Sequence, residues 1–407
     1  MASSRGEFSS RFGFVMAAAG SAVGLGNIWG FPTQAASNGG AAFLLVYLFL
    51  TFTLAYPALM AELIIGRHAH ANAVSALRLI SPNTLLKRIG VSTGVFGFIV
   101  ASLILSFYAI VASWMIAFCL SSLASLAGME SLSRWLTSFS LPRNMLFMLL
   151  FSGLTITIIT AGVKQGIERW SARLMPALLV LLVLLVLYVL TLDGAMEGLK
   201  VYLLPDFERA LSPMLIIAAL GSAFFSLSLG VGTMLIYGSY ISDKENLPVL
   251  GGLVTVVDIS IAVLAGVLVL PAMYVALHNG VQIFTEAGAL ISEDTLIFTV
   301  LPELFATMGL VGNVVSFTFF FLMSIAALTS SISMLEVPVA YTIEEHGISR
   351  KTAVRAIGGA IAIVSTLILL NFEDLFGFVI AFTTRYSQPL LGFMFCVYAG
   401  WVWSRHS

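Results

Sequence analysis

About ten apolar stretches, each of roughly 18 to 30 residues, follow one another along the 407-residue chain, and their length limits what it can become. They begin near Phe12, Ala41, Gly90, Leu146, Leu174, Pro213, Val249, Gly312, Ala353 and Phe376. A hydrocarbon layer about 30 Å thick is crossed by about 20 residues of helix, whereas a membrane strand needs only about ten residues of alternating polarity. With 59% hydrophobic and 10% charged residues, the chain is far too apolar for an ordinary soluble domain. The expectation is an all-α, polytopic membrane protein in the lipid bilayer, one transmembrane unit over 1–407.

The connections orient it. With a cytoplasmic N-terminus, one side carries Arg5, Arg11, Arg67, Arg78, Lys87, Arg88, Lys164, Arg169, Arg173, Lys244, Arg350, Lys351, Arg355 and Arg405. The other side carries Arg134, Arg143, Lys200 and Arg209. That imbalance puts both termini in the cytoplasm. The polar leader "MASSRGEFSS" and the span after it lack the pattern of a cleaved signal, so span one is expected to be retained. Cys119 and Cys396 lie in separate apolar spans and read as small buried hydrophobes. No basic arm suggests nucleic acid. The five histidines fall in connections or the tail, which leaves no nucleophile and base pair for an enzyme. The longest extramembrane piece, from His278 to about Leu310, falls on the outer face as a candidate lid.

Two spans are interrupted by glycine in corresponding places, "AVGLGN" at 22–27 in span one and "SLSLGVGT" at 226–233 in span six. Spans one and six stand five apart, so a five-helix unit repeated once, about 10–195 and 210–404, has opposite orientation in its two copies. Gly20 and Gly24 taken singly read as a helix-packing pair. Paired interruptions instead point to a transporter's midplane binding site, where unwound backbone offers N–H groups to a carboxylate and C=O groups to a cation.

Buried polar residues add to this. Asp258 sits in the middle of span seven at a cost of roughly 2.5–3.5 kcal/mol, so a cation, a proton or a neighbouring helix must offset it. Ala326, Thr329 and Ser330 share one face of span eight and present oxygens of the kind hard cations prefer, although such hydroxyls often bond back to their own helix. Glu62 and Glu336 read as members of structural networks. Arg385 either snorkels outward or lines an outer vestibule.

The stretches "SSRFGFVMAAAGSAVGLGNIWGFPTQAASNGGAAFLLVY", "PALMAELIIGR", "GVKQGIERWSARLMP", "GSAFFSLSLGVGTMLIYGSY" and "ALTSSISMLEVPVAY" resemble the neurotransmitter:sodium symporters, particularly their bacterial amino-acid-transporting members. The resemblance covers essentially the whole chain. It implies a five-plus-five inverted repeat with broken helices 1 and 6, alternating access, and sodium-coupled uptake of a neutral, hydrophobic L-amino acid. Sodium ions are then the coupling ions, with no further cofactor, and a prokaryotic cytoplasmic membrane is the location.

Carried over by position, a first sodium site would use the Ala22 carbonyl with Asn27, Ser226 and Asp258. A second would use carbonyls of Gly20, Val23 and Ala326 with the hydroxyls of Thr329 and Ser330. The substrate carboxylate would meet N–H groups around Leu25 and Gly26 and the Tyr108 hydroxyl. Its amine would face carbonyls near Ala22 and Phe225 and the Ser228 hydroxyl. Ile104, Phe225, Val231, Ser330 and Met334 would line the side-chain pocket, with Val231 replacing a family Phe. Gly24 stands where monoamine carriers resemble one another in having an aspartate, which leaves room for a substrate carboxylate. Tyr47 and Ser226 match chloride-site positions, but Asp258 supplies a fixed negative charge there, implying chloride independence.

The chain departs from the family pattern at several positions. Gly30 and Ile380 stand where the outer-gate arginine and its acidic partner are usual, so closure is expected to use Tyr108 and Phe225, with Arg385 as a vestibule charge. The inner gate is kept, with Arg5 placed to pair with Glu344 beside Tyr240, although Phe8 replaces a common Trp. Ser222 replaces a glutamine. The sequence ends at "WVWSRHS" after span ten, where relatives generally continue, which leaves monomer or dimer open. A non-transporting amino-acid sensor or an ion-conducting relative on the same scaffold is the competing reading.

Overall fold

The structure, a computed structural model, describes residues 7–204, 210–283 and 296–403, the last of these without the Leu296 side chain. Every regular element among the described residues is helical. α1 (Arg11–Ala22) and α2 (Gly26–Ser37) form one broken rod bent by 54°. There follow α3 (Ala41–Ala69), α4 (Thr84–Leu126), α5 (Leu141–Thr160) and α6 (Val163–Val189). A second interrupted pair, α7 (Pro213–Ser226) and α8 (Thr233–Gly238), precedes α9 (Leu247–His278), α10 (Gly309–His346) and α11 (Arg350–Leu370). The last stretch is built from α12 (Phe372–Ile380), a π-helical turn Ala381–Ser387 and α13 (Gln388–Val397).

Seven described helices are long and apolar enough to cross a membrane, and eight if the bent pair α1–α2 is one span. The ten expected from the sequence are not all matched by that measure, because the sixth and tenth stretches are divided into shorter segments. Short polar residues start several helices as the local chemistry requires. Ser10, Asn72, Asn83, Asn246 and Ser349 each accept a backbone N–H of the first turn through the side chain. His68, His278 and His346 occupy the last turns of helices rather than loops, a small correction to the sequence reading.

α4 and α10 run along each other through the middle of the bundle. Both are buried over most of their central residues. Large apolar side chains such as Phe49, Leu187, Ile217 and Phe393 point outward, an arrangement that lipid makes inexpensive and water does not. The cysteines follow expectation, Cys119 buried and Cys396 partly so, with no disulfide between them. Residues 284–295 of the candidate lid lie outside the described residues. The helix that follows, Leu296–Thr307, sets Phe298 edge-on against Trp29 and Trp114 and stacks it on Phe320.

Candidate functional site

The two interruptions have different backbone causes. α1 stops because Val23 turns to an extended conformation, φ −71° and ψ 103°, at its C-terminal end. Beyond α7 the chain passes through three left-handed residues within five, Ser228 (φ 52°), Gly230 (φ 80°) and Gly232 (φ 80°). Glycine meets that requirement at 230 and 232, whereas Ser228 holds a conformation costly for a residue with a Cβ. The buried Glu62, read from the sequence as structural, accepts the freed N–H of Gly230 at 2.7 Å. Thr233 Oγ1 donates to the Ser228 carbonyl at 2.7 Å.

The residues expected at the first sodium site converge. Asn27 Nδ2 donates to Ser226 Oγ and to Asp258 Oδ1, both at 2.8 Å, and Ser226 Oγ donates to Asp258 Oδ2 at 2.7 Å. Tyr47 Oη lies 3.3 Å from Ser226 Oγ, so the phenol belongs to the same cluster. Asn27, Ser226 and Asp258 are all buried. An ionised carboxylate this deep needs compensation, and the Asn27 amide and the Ser226 hydroxyl donate to it.

The second set converges as well. Ser330 Oγ donates to the carbonyls of Gly20 and Val23 at 3.3 and 3.2 Å, bonds long enough to give way to a cation. Thr329 Oγ1 donates to the Ala326 carbonyl at 3.0 Å. A Cβ added to Gly20 would lie 3.2 Å from the Thr329 Cβ, so the Thr329 side chain packs against the broken segment while its hydroxyl bonds back to the Ile325 and Ala326 carbonyls of its own helix. Both oxygen clusters therefore use residues 20–27 of the first interruption.

The same unwound segment borders a cavity lined by Ser21, Ala22, Gly24, Leu25, Gly26, Ile104, Tyr108, Phe225, Ser228, Val231, Ser330, Met334 and Gln388. Every residue that the resemblance assigned to the substrate is among these. The Leu25 N–H donates to Tyr108 Oη at 3.2 Å, which places both expected carboxylate partners side by side. Ser228 Oγ donates to the Ser21 carbonyl at 2.8 Å. Phe225 packs against Gly26, where an added Cβ would come within 2.7 Å of its ring. Gly24 is crowded rather than roomy: an added Cβ would lie 2.5 Å from Ser330 Oγ and 2.6 Å from Tyr108 Oη. The sequence reading missed Ser21 and Gln388. Nothing in the "YSQP" stretch signals that Gln388 turns toward the interruption in α7–α8.

At the N-terminal end of the bundle, Phe8 packs edge-on against Phe14, Tyr237 and Tyr240, and its N–H donates to the Tyr240 carbonyl at 3.1 Å. Tyr240 Oη donates to Glu336 Oε1 at 2.7 Å, and Arg350 grips both oxygens of that carboxylate. Glu336 thus has the network expected of it, with Arg350 a partner the sequence did not name. Asn72 donates its N–H and Nδ2 to Glu344 Oε2, each at 2.8 Å. Arg5, the expected partner of Glu344, lies outside the described residues. Glu168, also unforeseen, fastens the leader by accepting from Ser9 N at 2.8 Å and Ser9 Oγ at 2.6 Å. Arg385 is exposed and does not line the cavity.

A bundle with two interrupted helices whose freed backbone borders oxygen clusters and a cavity has the architecture of a membrane transporter. The match to the sodium:neurotransmitter symporter family model over residues 5–141 and 127–403 makes this specific: the chain belongs to that family. It is 39% identical to the uncharacterised sodium-dependent transporter YhdH of Bacillus subtilis, over 82% of this chain and 72% of that one. An uncharacterised sodium-dependent transporter of Haemophilus influenzae is 31% identical over 86% of this chain and 76% of its own. The crystal structure of MhsT in complex with L-phenylalanine superposes with a TM-score of 0.85 at 36% identity, covering 98% of this chain and 91% of that one.

Proposed function

We propose that this family member carries a neutral, hydrophobic L-amino acid into the cell together with sodium. The observation that carries the proposal is that one unwound segment, residues 20–27, contributes to both oxygen clusters and to the lining of the cavity. A cation at Asn27, Ser226 and Asp258 and another at Gly20, Val23, Ala326, Thr329 and Ser330 would hold the two interruptions in one arrangement. A substrate carboxylate at Leu25, Gly26 and Tyr108 would then complete the first site. Coupling follows because each ligand favours the arrangement the other needs. The phenylalanine bound in the MhsT crystal structure is consistent with a cavity of this make-up.

The remaining assignments belong to the same proposal. Asp258 carries a fixed charge beside the first cluster, so uptake is independent of chloride, and replacing chloride with gluconate leaves it unchanged. The two five-helix halves, 10–195 and 210–404, alternate access around the cavity. The Lys and Arg bias supports a prokaryotic cytoplasmic membrane with both termini in the cytoplasm. Arg5, Glu344 and Tyr240 close the inner side. On the outer side Tyr108 and Phe225 close over substrate and Arg385 supplies vestibule charge, a role that wild-type transport by Arg385→Ala would eliminate.

The test is a thermal-shift screen of the twenty amino acids with and without sodium, since a ligand of the folded state raises its stability by mass action. Stabilisation by a neutral amino acid only in sodium supports the proposal, and its absence from the whole screen refutes it. Counterflow in proteoliposomes then separates a carrier, which exchanges labelled substrate, from a sensor, which only binds it.

A further inference from the structure

We propose that Gln388 reads the far end of the substrate side chain, accepting a hydrogen bond from a donor there. The cavity then selects a neutral amino acid whose apolar side chain bears a hydroxyl. This rests on the amino-acid symport reading and narrows its substrate class.

Gln388 opens α13 directly after the π-helical turn Ala381–Ser387 and is 2% exposed. Its backbone is fixed against the second interruption, where a Cβ on Gly230 would fall 2.1 Å from the Gln388 carbonyl oxygen. It lines the same cavity as Val231, the position at which the family resemblance expects a Phe. Its side-chain Oε1 is buried with no hydrogen-bond partner among the described residues. Buried amide oxygens are nearly always paired, so a lone one beside a binding cavity calls for a ligand group.

The other polar groups of the cavity already have work. Tyr108 Oη takes the Leu25 N–H, Ser330 Oγ bonds the Gly20 and Val23 carbonyls, and Ser228 Oγ bonds the Ser21 carbonyl. These lie where the α-carboxylate, the amine and sodium are proposed to bind. The remaining walls at Ile104, Val231 and Met334 are apolar. A side chain with an apolar body and a polar tip satisfies both kinds of wall, while a purely aliphatic one leaves the Gln388 oxygen buried and unpaired.

The experiment measures sodium-dependent binding to the purified full chain for two matched pairs, tyrosine against phenylalanine and threonine against valine. The donor-bearing member of at least one pair is expected to bind about tenfold tighter or more, because a site built to pair with a polar group discriminates against the analogue lacking it. In Gln388→Met that preference disappears, read as the ratio of the two affinities within each pair whatever their absolute values. Equal affinities within both pairs, or a preference unchanged in Gln388→Met, overturns the proposal and leaves amino-acid symport standing. If Gln388→Met does not fold, the wild-type pairs decide. Failure of every amino acid to bind in sodium overturns both readings together.

Discussion

Gly24→Ala adds one methyl group where two functional hydroxyls meet the unwound backbone. The new Cβ would stand 2.5 Å from Ser330 Oγ and 2.6 Å from Tyr108 Oη, against a practical limit of 3.0 Å for real Cβ contacts. Each hydroxyl must therefore retreat by roughly half an ångström, which is overpacking of the kind that costs about 1–3 kcal/mol. Ser330 Oγ is already 3.3 and 3.2 Å from the Gly20 and Val23 carbonyls, and Tyr108 Oη is 3.2 Å from the Leu25 nitrogen. Further retreat weakens these bonds, each worth on the order of 1 kcal/mol. The combined cost, about 2–4 kcal/mol, falls on atoms proposed to contact sodium and substrate. At about 1.4 kcal/mol per tenfold change, affinity drops by roughly 30-fold to several hundredfold.

Gly30→Ala is the internal control. Its added Cβ would meet nothing nearer than the Leu25 carbonyl oxygen at 3.8 Å, an ordinary contact. Sodium-dependent thermal shifts and initial uptake rates, taken at matched expression, compare the two variants. Wild-type binding by Gly24→Ala, or an equal loss in Gly30→Ala, would refute the reasoning that crowding at position 24 fixes the site.

Asp258→Asn removes the fixed charge bonded to Asn27 and Ser226 and is expected to make uptake depend on chloride, which a chloride–gluconate exchange in vesicles reads directly. Arg350→Met leaves the fully buried Glu336 carboxylate with Tyr240 alone among the bonds described here, and should destabilise the protein by about 3–5 kcal/mol. Adding Glu336→Gln should restore much of the melting temperature, because no uncompensated charge then remains. Ser9→Ala removes the hydroxyl that bonds Glu168 and should loosen the leader, raising protease cleavage near the N-terminus while leaving substrate affinity in sodium within about twofold.

Much of this site is legible in the sequence for local reasons. Gly230 and Gly232 announce an interruption because only glycine adopts their left-handed backbone cheaply. Asp258 stands out because a carboxylate within an apolar span demands a partner. The one-face spacing of Ala326, Thr329 and Ser330 follows from helical periodicity. Other parts leave no local trace. Gly24 looks like space in the sequence, yet Ser330 and Tyr108, from two other helices, crowd it. Glu168 resembles any charged residue at a helix boundary until the leader folds onto it. Span ten reads as one apolar stretch but is divided in the structure by the π-helical turn Ala381–Ser387.

The sequence by itself determined an all-helical membrane protein, the places where two helices break, and the residue types that face each other across those breaks. Hydropathy, backbone freedom and the cost of buried charge act over a turn or two of chain, so they can be read in order along it. Tertiary structure alone decided that Arg350 neutralises Glu336 and that Gln388 comes to the cavity with its oxygen unpaired among the described residues. Each of these pairings joins separate helices, and their meeting depends on how the helices pack in three dimensions rather than on any spacing along one of them.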